Sequence, residues 1–185
     1  MPALTLDQLI TIFGDATVAM SGFNESFVRR TFEPNSQPAH EMSQSVIYFN
    51  VSPVDNPYDK QRDITYTEGN PTYAEETIRY TRVMQVDWSI YAPNAYDIAD
   101  IIRVAILTDR IRDMLAPHAI YPITDIRAPQ RVPYPFNAQW WERVDLSVLF
   151  NVYTTRSGQV PLLESAEVTV TESGGLSQTI IIEGA

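Results

Sequence analysis

Four aspartates recur in one segment at spacings that suit a helix: Asp97, Asp100, Asp109 and Asp113. Carboxylates gathered on one helix could divide general-acid and general-base work between them. Arg103, Arg110 and Arg112 are interleaved with them, however. Opposite charges three or four residues apart pair along a helix and keep each other solvated. The pattern therefore reads as a salt-bridged outer face and not as a paired-carboxylate centre.

Other chemistry-bearing residues are sparse. The two histidines, His40 and His118, both fall in expected loops, and no HxH or HExxH spacing accompanies them. They read as surface histidines. Cysteine is absent, which removes thiolate nucleophiles, disulfides and Cys-based zinc sites together. Glu68-Gly69-Asn70-Pro71 reads as a turn and not as a phosphate-cradling loop, and no GxSxG nucleophile elbow occurs. The expectation is no catalytic residue, no cofactor-binding residue and no metal ligand, hence no cofactor and no enzyme.

Charge narrows the partners. The chain of 185 residues carries a formal charge of −10, and its basic residues are twelve arginines and Lys60. Phosphate contacts supply much of the affinity of nucleic-acid readers, so a chain this acidic repels DNA on average. At 44% hydrophobic and 19% charged it has the composition of a globular protein. Its length suits a single domain, 1–185, with the best-supported core at 80–155 and 156–185 as a C-terminal strand extension. No apolar run reaches the roughly 18 residues of a membrane span, and Met1-Pro2-Ala3-Leu4-Thr5 lacks the basic start of a secretory signal. A cytosolic setting and no membrane partner are expected, so the sequon Asn50-Val51-Ser52 reads as chance.

The elements that would position these residues are legible in places. Thr5 and Gln8 have the spacing of a capping box, and Leu6, Leu9, Ile10 and Phe13 follow on one apolar face, so a helix is predicted over about 6–19. Ser45–Val51 reads as a strand, after a short one within 27–32. Residues 52–74 read as a long connection with a ragged hairpin near 63–67. Met84, Val86, Trp88 and Ile90 alternate with polar residues and predict a half-buried strand over 80–91. Asn94 then serves as an N-cap, with Asp97 in the first turn of one helix running to about Leu115. Five prolines make 117–139 a stiff, extended connection; a PxxP ligand there would need an exposed polyproline helix. Val144, Leu146, Val148, Phe150 and Val152 mark a strand over 142–154, with Leu149 as its one outward aliphatic. Two further strands, 166–171 and 179–182, flank a turn at Gly174-Gly175.

Two features exceed what a closed domain needs. Strands of twelve residues or more are about twice the usual length. They are either curved within one domain or extend toward a subunit boundary. The helix after Asn94 also carries two apolar faces. Val104, Leu107, Ile111, Met114 and Leu115 suit a sheet. Ile98, Ile102, Ala105 and Ile106 lie nearly opposite and would meet the first helix, the proline-rich loop or another subunit. Ile98, Ile102, Ile106 and Leu149 are accordingly the candidate subunit-interface residues.

The stretch from Gln85 to Tyr153 supports a resemblance. Val86-Asp87-Trp88 leads into Asn94-Ala95-Tyr96-Asp97-Ile98-Ala99 and a helix; after a proline-containing loop, Trp141-Glu142-Arg143-Val144-Asp145-Leu146-Ser147-Val148 opens a long strand. This order resembles the neck and tail terminator proteins of tailed bacteriophages, and within them the neck-terminator-like group. The resemblance implies an α+β fold: a curved, mostly antiparallel or mixed sheet with two α-helices packed on one face. It also implies a structural virion protein at the neck, assembled in the host cytoplasm as a homo-oligomer, a hexameric ring. Such a ring stops growth of the tail tube protein and docks the neck or connector protein, and DNA passes through it without sequence recognition. No catalytic residues come with the family. Alternatives are another head–tail joining or tail-completion protein, or a monomeric module with a ligand cleft between 52–74 and 117–139.

Overall fold

The computed structural model describes residues 3–32, 41, 43–70, 72–136, 138–162, 165–171, 174–175 and 177–183. Its elements in chain order are α1 (Leu6–Ser21), β1 (Val28–Arg30), β2 (Val46–Val54), α2 (Pro57–Lys60), β3 (Asp63–Asn70), β4 (Tyr73–Tyr91), α3 (Ala95–Ala105), α4 (Asp109–Leu115), β5 (Ile120–Pro122), β6 (Gln130–Arg131), β7 (Tyr134–Phe136), β8 (Gln139–Trp141), β9 (Arg143–Pro161), β10 (Ser165–Thr171) and β11 (Ser177–Glu183). The chain divides into two compact units. One comprises 1–61 and 80–154, the other 62–79 and 155–185, so β4 and β9 each contribute to both.

The first unit is an α+β layer pair. Its strands run in the order β1-β2-β4-β9-β5, with β6 also on β9. β1 and β2 are parallel, whereas β2–β4, β5–β9 and β6–β9 are antiparallel. Side-chain contacts from Ser89 to Asp145 and from Arg82 to Thr154 run in opposite senses, so β4 and β9 are antiparallel too. The period of two explains which face is buried: Ile47, Phe49 and Val51 of β2, Met84 to Ile90 in alternation on β4, and Val144 to Val152 in alternation on β9 form one core.

Helix α1 covers that core because its ends are well specified. Thr5 Oγ1 accepts from the Gln8 N–H at 3.2 Å, and Gln8 Oε1 accepts from the Thr5 N–H at 2.9 Å, the reciprocal pair that the sequence predicts. At the other end Gly22 adopts φ 70° and its N–H donates to Val18 O. A left-handed residue is needed there, and glycine takes it without a Cβ penalty. Leu9, Phe13, Ala16, Thr17 and Met20 face inward. The Phe13 and Phe150 rings meet at 4.8 Å, tilted by 59°.

The helix expected to run unbroken from Asn94 to Leu115 is two helices. Thr108 is extended, with φ −78° and ψ 151°, and its hydroxyl donates to Ala105 O at 2.6 Å. The break resets the helical phase. Ile111 and Leu115 of α4 thereby join Ile98, Ile102 and Ile106 in the same core, under α1. The two faces assigned from a continuous 100° rotation are therefore corrected. Ile98, Ile102 and Ile106 are inward, at 5%, 0% and 1% exposure, and offer no surface to a neighbouring subunit. Asn94 occupies the N-cap position, but no side-chain hydrogen bond caps α3. With the one-turn α2, the structure has four α-helices among the described residues where two were expected.

The presumed 52–74 connection is also largely regular. β2 continues to Val54, and in the second unit β3 pairs antiparallel with the start of β4, from Asp63↔Arg79 through Asn70↔Tyr73. Its weak alternation is completed by the partner strand, as in the bond from Tyr66 OH to Glu76 Oε1 at 3.1 Å. The same unit holds the β10–β11 hairpin, in register from Ser165↔Glu183 to Thr171↔Ser177. Both long strands reach 19 residues, beyond the span that their alternation predicts.

Candidate assembly surface

Three surfaces of the first unit bear on function. The first is the outer side of α3 and the turn after it. Ile101, Val104 and Leu107 are 55%, 60% and 55% exposed, and Met114 of α4 adds to them. These residues are what the phase reset leaves outside. Ion pairs flank them: Arg103 with Asp100 at 3.6 Å, and Arg112 with Asp109 at 3.0 Å and Asp113 at 3.9 Å. The carboxylates weighed for catalysis thus lie on an exposed, salt-bridged face, as their interleaving with arginine implies. Among them Asp97 is exposed in the first turn of α3.

The second surface is the sheet face away from the helices. Here Arg143 is held in a fork by Asp145, with Nε donating to Oδ1 at 2.7 Å and one Nη donating to Oδ2 at 2.8 Å. The same Nη donates to Ser89 Oγ at 3.2 Å, and Ser89 Oγ donates to Asp145 Oδ1 at 2.9 Å. The guanidinium also lies 5.8 Å from the centroid of the Tyr91 ring, which meets Tyr48 edge-on. The hydrogen bond to Asp145 raises the Arg143 pKa further. Burial raises that of Tyr91, partly opposed by the positive charge of Arg143. Two residues further along the same strand pair, Asp87 Oδ1 accepts from Gln85 Nε2 at 2.7 Å and from Ser147 Oγ. Donors on neighbouring strands occupy both carboxylates, so the face is a stabilising polar lattice. Leu149, the fourth candidate interface residue, lies half-buried on this side.

The third surface is the β7–β8 hairpin, with Tyr134↔Trp141 and Pro135↔Trp140 in register. Trp140 is 70% exposed, and Tyr134 and Val132 are also exposed. Sequence reasoning passed over this element because five prolines in 117–139 suggested an extended connection. Adjacent tryptophans in a polar setting were the available signal, since large aromatics left in water are characteristic of contact sites.

His118 ends a short 3₁₀ turn and lines a groove of about 370 Å³ with Leu4, Asp7, Gln8, Thr11 and Ile12. His40 lies outside the described residues. Among the described residues no group of three or more His, Cys, Asp or Glu is placed to hold a metal ion. No helix among them is long and apolar enough to cross a membrane.

Comparison with known proteins adds one result. A family model described as phage neck terminator protein matches residues 7–175, spanning both compact units. No curated protein matches the chain.

Proposed function

The chain belongs to the phage neck terminator protein family, and from that premise we propose that it forms a hexameric ring closing the tail tube and joining it to the neck connector. Membership makes it a structural protein of the phage virion with a head–tail joining role. The ring, its neighbours and the passage of DNA are our reading. The match over 7–175 carries it, and the apolar outer side of α3 and its following turn supports it. Ile101, Val104 and Leu107 stand more than half exposed on a chain of net charge −10, and exposed aliphatic clusters of this kind mark protein contacts. Leu149, half-buried on the outer sheet face, is a further contact in this reading. Assembly takes place in the host cytoplasm. DNA passes through the lumen without base recognition, in keeping with a net charge of −10.

Mass measurement tests the reading. Six copies of the 21.0 kDa chain give about 126 kDa. Light scattering of concentrated protein should return that value, and subunit counting in purified particles should give six copies per neck. A strict monomer in both preparations would overturn the ring.

A further inference from the structure

We propose that neighbouring copies meet head to tail, with the Trp140 hairpin of one subunit seated on the Ile101–Val104–Leu107 face of the next. The inference rests on the ring reading above. A closed ring needs a heterologous interface, in which two different patches of the same chain complement each other. The first unit presents two such patches on separate elements. One is a broad aliphatic surface on α3 and the turn after it. The other is a narrow hairpin carrying Trp140 at 70% exposure with Tyr134 and Val132 beside it. Tryptophan and tyrosine are the residues most often found at the energetic centre of an interface, surrounded by apolar contacts that exclude water.

Charge favours a second copy as the occupant. Two chains of −10 repel each other over most of their surface. Residues 95–115 carry four aspartates against three arginines, whereas 127–145 carry three arginines against Glu142 and Asp145. The two patches therefore lie in segments of opposite net sign. Their flanking charges are already paired within the chain, Arg103 with Asp100 at 3.6 Å and Arg112 with Asp109 at 3.0 Å beside the helix, and Arg131 with Glu142 at 3.2 Å beside the hairpin. Here two acidic copies approach with little like-charge penalty and few charges to strip of solvent.

The absence of cysteine allows a clean test. Val104→Cys and Trp140→Cys are both exposed substitutions and should leave the fold intact. Oxidation of the double variant, in concentrated protein and in assembled particles, should give a ladder of disulfide-linked multimers. The two single variants mixed should stop at dimers, and each alone should remain uncross-linked. A dimer from either single variant alone would indicate a two-fold contact and overturn the proposal. So would absence of the ladder in both preparations. If Val104→Asp leaves the ring mass unchanged but abolishes attachment to the tail, the helix face meets another virion protein and the proposal is again overturned. The wild-type ring mass is read separately, so this contact can fail while the ring stands.

Discussion

The indole N–H of Trp88 on β4 donates to the hydroxyl of Thr17 on α1 at 2.9 Å, and both side chains are buried. The Thr17 hydroxyl donates in turn to Phe13 O at 2.7 Å, within its own helix. A short relay of polar atoms therefore fixes α1 on the middle of an otherwise apolar sheet face. Replacing Thr17 by Val keeps the shape but leaves the indole N–H without its partner. The loss should be about 1–3 kcal/mol in denaturant unfolding. Thr17→Ser, which keeps the hydroxyl, should lose markedly less.

The inward and outward sides of α3 should respond in opposite ways to the same substitution. Ile102→Asp places an unpaired carboxylate where the native side chain is fully buried, which should cost about 4 kcal/mol or more and unfold much of the protein. Val104→Asp adds the same charge to a side chain 60% exposed and should change stability by no more than about 0.5 kcal/mol. Thermal unfolding followed by circular dichroism distinguishes the two. Comparable unfolding by both variants would reverse the assignment of the faces.

Gly22 stops α1 in a left-handed conformation with φ 70°. Gly22→Ala should destabilise the chain by about 1 kcal/mol, since a Cβ disfavours that region. Chemical denaturation should show the shift in midpoint with an unchanged slope. An unaffected midpoint would mean that the helix ends elsewhere.

Tyr91 sets an alkaline limit. Burial raises its pKa in the folded state above the ordinary value near 10, although Arg143 partly opposes the shift. The folded protein then holds this proton more tightly than the unfolded chain. The stabilisation is fully present below about pH 10 and is lost as pH rises through the folded-state value. Stability measured from pH 8 upward should fall beyond about pH 10, and Tyr91→Phe should make that fall shallower. An identical slope in the variant would show that Tyr91 does not carry the effect.

By itself the sequence determined the features that depend on neighbours along the chain. The capping box of Thr5 and Gln8 is local, and it forms as spaced. Alternation on β4 and β9 assigned Met84, Val86, Trp88 and Ile90, and Val144 to Val152, to the buried face, because the strand period is fixed by backbone geometry. The order of elements from Gln85 to Tyr153 also carried the resemblance to the family that matches residues 7–175. The tertiary structure decided what periodicity leaves open. Two apolar stripes on one helical segment are equivalent until a partner is present, and α1 selects the one containing Ile98, Ile102 and Ile106. Counting Ala95 and Ala99 would have shown a continuous inward stripe, since both are fully buried beside those isoleucines. Thr108 followed by Asp109 was the local sign of a second helix start. Folding resolves it through the extended Thr108, which turns Ile111 and Leu115 inward and leaves Ile101, Val104 and Leu107 exposed.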